Sequence, residues 1–324
     1  LGSHLRFLSM NVVMSEEIRQ IMLFMLTKTC LTVRQKAQGG IMARPHGHGT
    51  RLASYDFGAT TVFACGLDQR FSYCAYVPEA YDEHGSDTWP LAVIVHGTER
   101  GMQAYRDGFA DFAEQHGVIV LAPLFPVGIT EPGDLSSYKL MRAGPLHYDA
   151  VLLAMIAEMQ AKYRVAGDRV LMYGFSGGGH FTHRFLYLHP DRLLGASIGA
   201  PGVVTLLDFD HDWWVGVRNF EAVFGKALDL DAIRRVPVHM LIGDDDTQTW
   251  EITIEPGNAW WMPGAGIAGA NRQDRMRSLR RSLEAQGVSV QQDTIPGIGH
   301  DDRTMLDAVK RFFADVLADR RKTA

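Results

Sequence analysis

Ser176 stands in Gly174-Phe-Ser-Gly-Gly178, between an apolar run, Val170 to Tyr173, and a segment, Phe181 to Leu188, that reads as a helix stopped before Pro190. A serine hydroxyl is a weak nucleophile, and it attacks an acyl carbonyl only when a base takes its proton and a third group orients that base. The strand, turn and helix around Ser176 meet the remaining needs of such chemistry. A sharp turn pushes the hydroxyl out beyond the strand end, and glycines two before and two after keep Cβ atoms off the neighbouring strand and helix. The helix that follows aims free N–H groups at the place where an oxyanion forms. A phosphate-binding turn is the competing reading of any Gly-rich strand-to-helix junction. It fits poorly: a dinucleotide fingerprint needs glycine where Ser176 stands, and the only Gly-Lys pair, Gly225-Lys226, is followed by alanine rather than Ser or Thr.

The chain holds 13 histidines, so position must choose the base. His300 lies in Pro296-Gly-Ile-Gly-His-Asp-Asp302, a glycine-rich turn directly after the last expected strand. From there an imidazole reaches over the carboxyl ends of the strands, where Ser176 also belongs. His180 is expected to pack against the body or edge the pocket, His183 and His189 to lie on a helix surface or pack, and His96 to brace a loop. The orienting carboxylate is expected after Leu241-Ile242, in Gly243-Asp-Asp-Asp246. Asp246 is chosen because Gly-x-x-Asp lets the chain turn before the carboxylate points back, whereas a turn cap accounts for at least one of its neighbours. Oxyanion donors are expected from the Gly177 N–H and, in the loop His96-Gly-Thr98, from the Thr98 N–H.

The elements that must position these groups follow from hydrophobic pattern. Thr60 to Ala64 and Phe71 to Val77 read as an antiparallel hairpin. Strands at Leu91–Val95, Val118–Ala122, Val170–Tyr173, Leu193–Ile198, Pro237–Ile242 and Val288–Thr294 then alternate with helices at Tyr105–Gln115, Tyr148–Tyr163, Phe181–Leu188, Asn271–Gln286 and Thr304–Leu317. This alternation predicts one α/β domain over 51–324, with a mostly parallel sheet, an antiparallel leading hairpin and helices on both faces. Two stretches break the rhythm, 202–235 and 247–269, and are expected to be insertions.

Residues 1–50 read as an N-terminal extension. Glu16 to Leu31 suits an amphipathic helix, a candidate for packing on the body or for pairing two copies in a homodimer. Leu1-Gly-Ser-His4 reads equally as an expression scar. His46 and His48 have no further ligands nearby, so a loop is expected there rather than a metal site.

A formal charge of −5 disfavours non-specific nucleic-acid binding. No stretch approaches the roughly 18–20 apolar residues of a membrane span. Cys30, Cys65 and Cys74 show no metal spacing and leave one over, which suits a reducing compartment; Cys65 and Cys74 could face each other across a hairpin, buried free thiols are the expectation, and a cytoplasmic setting is the default.

Taken together, Leu91-Ala-Val-Ile-Val-His-Gly-Thr98, Gly174-Phe-Ser-Gly-Gly178, Gly243-Asp-Asp-Asp246 and Gly297-Ile-Gly-His300 resemble the motifs of the α/β-hydrolase fold superfamily, over about residues 55–320. Their order, Ser then Asp then His, is that of the superfamily. Within it the chain is similar to the esterase and polyester-depolymerase branch. His-Gly-Thr98 in place of His-Gly-Gly-Gly argues against the hormone-sensitive-lipase type, and serine in the turn argues against a haloalkane dehalogenase. The resemblance implies that Ser176 attacks an ester carbonyl, His300 takes the proton and Asp246 holds the imidazole, with Thr98 and Gly177 as oxyanion hole. It implies no cofactor and no metal, and a small-molecule ester as substrate. It also implies that the two insertions form a cap.

Five of the six tryptophans, Trp213, Trp214, Trp250, Trp260 and Trp261, fall in those insertions, where lining an apolar pocket and packing the insertion onto the body are equal expectations. A peptidase or amidase of the same fold, and a non-catalytic binding protein on this scaffold, are the alternative readings. The 50-residue extension is too short for the propeller of a prolyl oligopeptidase.

Overall fold

The computed structural model describes residues 51–323. The expectations for the helix at 16–31, for His46 and His48, for Cys30 and for the start of the chain lie outside the described residues.

Short β1 (Gly58–Ala59) and β2 (Phe63–Ala64) both pair antiparallel with β3 (Ser72–Val77), which gives the expected leading hairpin. Then come β4 (Leu91–Val95) and β5 (Ile119–Leu124), a small separate ladder of β6 (Arg142–Ala143) and β7 (Leu146–His147), and finally β8 (Val170–Phe175), β9 (Leu193–Gly199), β10 (Val238–Gly243) and β11 (Val290–Ile295). The main sheet has nine strands in the order β1-β3-β5-β4-β8-β9-β10-β11, with β2 beside β3. Every pairing from β5 through β4 to β11 is parallel. Strands β4, β8, β9 and β10 are buried at every position. Burial on both faces is why they read as continuous apolar runs rather than as alternating ones.

The expected helix over 105–115 is two helices, Met102–Asp107 and Ala110–His116. Gly108 closes the first, and Phe109 turns inward, fully buried, against Phe112, Tyr173 and Phe313. Anchoring one large ring in the core at that joint outweighs helix continuity. Helices Tyr148–Lys162, Gly177–Leu188, Arg272–Ala285 and Leu306–Thr323 lie close to the positions read from the sequence. All 12 residues of Gly177–Leu188 are buried, so this helix has no solvent face.

The stretch 202–235 carries only two short helices, Phe220–Phe224 and Leu230–Arg234, and 247–269 has no regular element. The two stretches pack on each other: Val203, Trp214 and Val215 form a cluster with Ile254, Met262 and Ala265. Cys65 and Cys74 are free and buried. Among the described residues no helix is long and apolar enough to cross a membrane.

Candidate active site

Strands β4, β8, β10 and β11 run parallel, so the loops that leave their carboxyl ends gather at one edge of the sheet. Ser176 follows β8 with φ +52° and ψ −114°, one of four non-glycine residues with positive φ among those described. A side chain held there costs about 1–3 kcal/mol and persists only where the surroundings overdetermine it. Here they do. The Ser176 N–H donates to the Gly199 carbonyl at 2.8 Å, and its carbonyl receives the His180 N–H at 3.0 Å. A Cβ on Gly174 would strike the backbone of Gly178, and one on Gly178 would strike the Val95 carbonyl, which is the physical content of the two flanking glycines.

Asp246 and His300 stand on two loops laced together. Parallel pairing of β10 with β11 sets Gly243 opposite Ile295. Beyond them the Asp244 N–H donates to Ile295 O and the Asp245 N–H to Ile298 O, both at 3.0 Å. Asp244 Oδ1 receives the Gly297 N–H at 2.6 Å. Asp244 and Asp245 are exposed, whereas Asp246 is 1% exposed. Asp246 Oδ2 is 2.6 Å from His300 Nδ1. Because the carboxylate accepts, Nδ1 carries the proton and Nε2 is left as the basic nitrogen. The imidazole lies against Phe175, the residue before the serine, with ring centroids 4.7 Å apart. The Ser176 hydroxyl is in no hydrogen bond with another described residue; the contact that brings His300 to this turn is the one with Phe175. Nucleophile–base contacts are often long in unliganded sites and tighten on substrate binding.

Sequence reasoning missed Arg272. This side chain, 2% exposed at the start of Arg272–Ala285, reaches Asp246 Oδ1 at 3.2 Å and Glu251 at 2.9 Å. Asp246 therefore has one oxygen on the imidazole and one on a buried guanidinium. The only sequence signal was an arginine beside a helix N-cap, which is ordinarily a surface position. A cation on the far oxygen offsets part of the negative charge that favours the imidazolium, and it also fixes the carboxylate plane. Arg272→Gln is expected to lower kcat by roughly ten- to a hundredfold, the worth of one hydrogen bond to a charged group. Arg272→Lys should restore most of that loss; a Gln variant with a lowered melting temperature and unchanged kcat would show that Arg272 acts on folding alone.

The surroundings of Thr98 and Gly177 are equally crowded. The point a Gly177 Cβ would occupy is 3.1 Å from the Thr98 amide nitrogen, so the loop after β4 passes close to the start of the helix Gly177–Leu188. Among the described residues neither amide donates to a protein acceptor. His96, fully buried, accepts the Phe125 N–H on Nε2 at 3.0 Å and so donates from Nδ1 to Gly97 O at 2.7 Å. Burial pushes its imidazolium down to about 4, so it stays neutral and braces this loop. Two further groups stand at the Gly177 position, the Tyr138 hydroxyl and Lys139 Cε.

His180 and His183 are packing residues. His180 Nε2 accepts the Val203 N–H at 3.0 Å, and His183 Nε2 accepts the Thr205 N–H at 3.0 Å. Trp213 packs edge-on against Phe220 and Phe224, and Trp214, buried, donates from Nε1 to Trp260 O at 2.9 Å. Trp214 thus ties the two insertions to each other, and Trp213 also meets the Arg184 guanidinium of helix Gly177–Leu188. Trp250 and Trp261 are exposed.

No protein-family model and no curated protein matches the chain. Solved structures do. It is similar to poly(aspartic acid) hydrolase-1 from Sphingomonas sp. KT-1, with a TM-score of 0.61, 21% identity, and 78% of this chain and 97% of that one covered. A poly(3-hydroxybutyrate) depolymerase from Bordetella parapertussis matches with a TM-score of 0.61 and 25% identity, over 76% of this chain and 84% of that one. An S-formylglutathione hydrolase from Agrobacterium tumefaciens matches with a TM-score of 0.53 and 16% identity, over 83% and 97%. The strand order and these likenesses identify the chain as an α/β-hydrolase-fold protein whose structural relatives include esterases and a polyester depolymerase.

Proposed function

We propose that the protein is a serine hydrolase that cleaves carboxylic esters through an acyl-enzyme. The observation that carries this is the 2.6 Å bond between Asp246 and His300, formed beside a serine held in a strained turn. In the proposed cycle the ester carbonyl oxygen sits between the Thr98 and Gly177 amides. His300 Nε2 takes the Ser176 proton as Oγ attacks the carbonyl carbon, and the negative charge moves to the oxygen held by those amides. The imidazolium, stabilised by Asp246, then protonates the departing alkoxide. Water, activated by the same imidazole, releases the acid and restores the serine. Esters are chosen over amides on the likeness to the depolymerase at 25% identity, whose substrate is a polyester.

A fluorophosphonate probe should label the wild-type protein at Ser176, and a panel of matched esters and amides should show ester turnover. For a responsive ester, kcat/KM should rise with pH through a single ionisation as His300 loses its proton. A profile flat from about pH 5 to 9, a range that spans the usual histidine titration, would remove histidine as the base. Faster cleavage of amides than of matched esters would place the activity among amidases instead.

A further inference from the structure

Lys139 is a buried lysine without a carboxylate. It lies in the short 3-10 turn Ser137–Leu140, is 9% exposed, and its ammonium has one partner among the described residues, the Ser136 hydroxyl at 3.3 Å. Among the described residues no carboxylate oxygen comes within 4.0 Å of it. The charged and titratable groups that face it are Arg100, Arg184, Glu251 and Asp134, with the imidazoles of His96 and His180. Both carboxylates are engaged elsewhere: Glu251 pairs with Arg272, and Asp134 accepts from Thr130, Ser136 and Ser137. The two arginines add positive charge. Its backbone is held fast, since Arg184 Nη1 donates to the Lys139 carbonyl at 2.5 Å. Buried charges are ordinarily paired, because an unpaired one loses its hydration with nothing in return.

The side chain also reaches the start of the helix that follows Ser176. Lys139 Cε is 3.1 Å from the point a Gly177 Cβ would occupy, the same point that lies 3.1 Å from the Thr98 amide. We propose that Lys139 is a specificity residue whose ammonium receives a carboxylate carried by the acyl part of the ester, a few bonds from the scissile carbonyl. The favoured substrates are then half-esters of short dicarboxylic acids. This rests on the ester-hydrolase reading of the same site.

Burial, and next Arg100 and Arg184, push the Lys139 ammonium down to about 8. The anion preference is therefore full below that pH and fades as pH rises through it. Loss of the His300 proton accelerates both members of a substrate pair and cancels in their ratio.

The test compares monoethyl glutarate with the ethyl ester of glutaric monoamide, which differ in charge and little in shape. Wild type should favour the anion in kcat/KM by about tenfold or more, the worth of one charge-assisted bond. The preference should collapse in Lys139→Met, survive in Lys139→Arg, and decline in wild type across pH 7 to 9. A wild-type ratio near one overturns the proposal. So does a Lys139→Met variant that slows both esters equally, which would place the ammonium on the oxyanion or in the fold. Should Lys139→Met not fold, the wild-type pH dependence of the ratio decides alone. Absence of probe labelling at Ser176 and of turnover of any neutral ester would instead defeat the ester-hydrolase reading itself.

Discussion

Ser176→Ala is expected to give a folded protein with ester hydrolysis reduced by on the order of 10⁴–10⁶, the loss seen when a triad nucleophile is removed. Stability should change little. The Ser176 hydroxyl bonds to no described residue, and the turn is held by backbone bonds to Gly199 and His180 that alanine keeps. Alanine carries the same Cβ through φ +52°, so the strain is already present in the parent. Two measurements on the purified variant decide: the melting temperature, which should match the parent, and turnover of the best ester, which should fall to near background. Hydrolysis within tenfold of wild type would remove Ser176 as nucleophile.

The second large effect separates three adjacent acids. Asp246→Asn is expected to lower kcat by at least about 10³, since an amide in place of a triad carboxylate favours the wrong imidazole tautomer and removes the charge that stabilises its cation. Asp246 is buried and bonded on both oxygens, to His300 and to Arg272. Asp244 instead accepts the Gly297 N–H, a bond that the Oδ1 of asparagine reproduces. Asp245 is exposed. Asp244→Asn and Asp245→Asn should each cost less than about tenfold, or ~1.4 kcal/mol. Kinetics on the three single variants test this, and a large loss at Asp244 or Asp245 with a small one at Asp246 would reverse the choice of acid.

The reading of residues alone went furthest where a short stretch carries its own geometry. Gly174-Phe-Ser-Gly-Gly178 between an apolar run and a helix already implies a strained turn, because only glycine fits where backbones approach so closely. The buried parallel strands were equally legible as unbroken apolar runs. The helix over 105–115 was not, since its break at Gly108 and Phe109 depends on a ring buried against Phe313, more than two hundred residues away in the chain. Nor was the character of Gly177–Leu188. Its His183 and Arg184 look like surface residues by type, yet both are fully buried, because the helix is covered by the segment that follows β9.

The types and order of Ser176, Asp246 and His300, and the strand ends that carry them, were thus set by local sequence. Turn chemistry and apolar patterning act over a few residues and can be read there. Which oxygen of Asp246 faces the imidazole, that Arg272 takes the other, and that Lys139 stands beside Gly177 were decided only by the tertiary structure. Burial and electrostatic pairing are properties of what surrounds a side chain, and its neighbours here come from loops far apart in the chain.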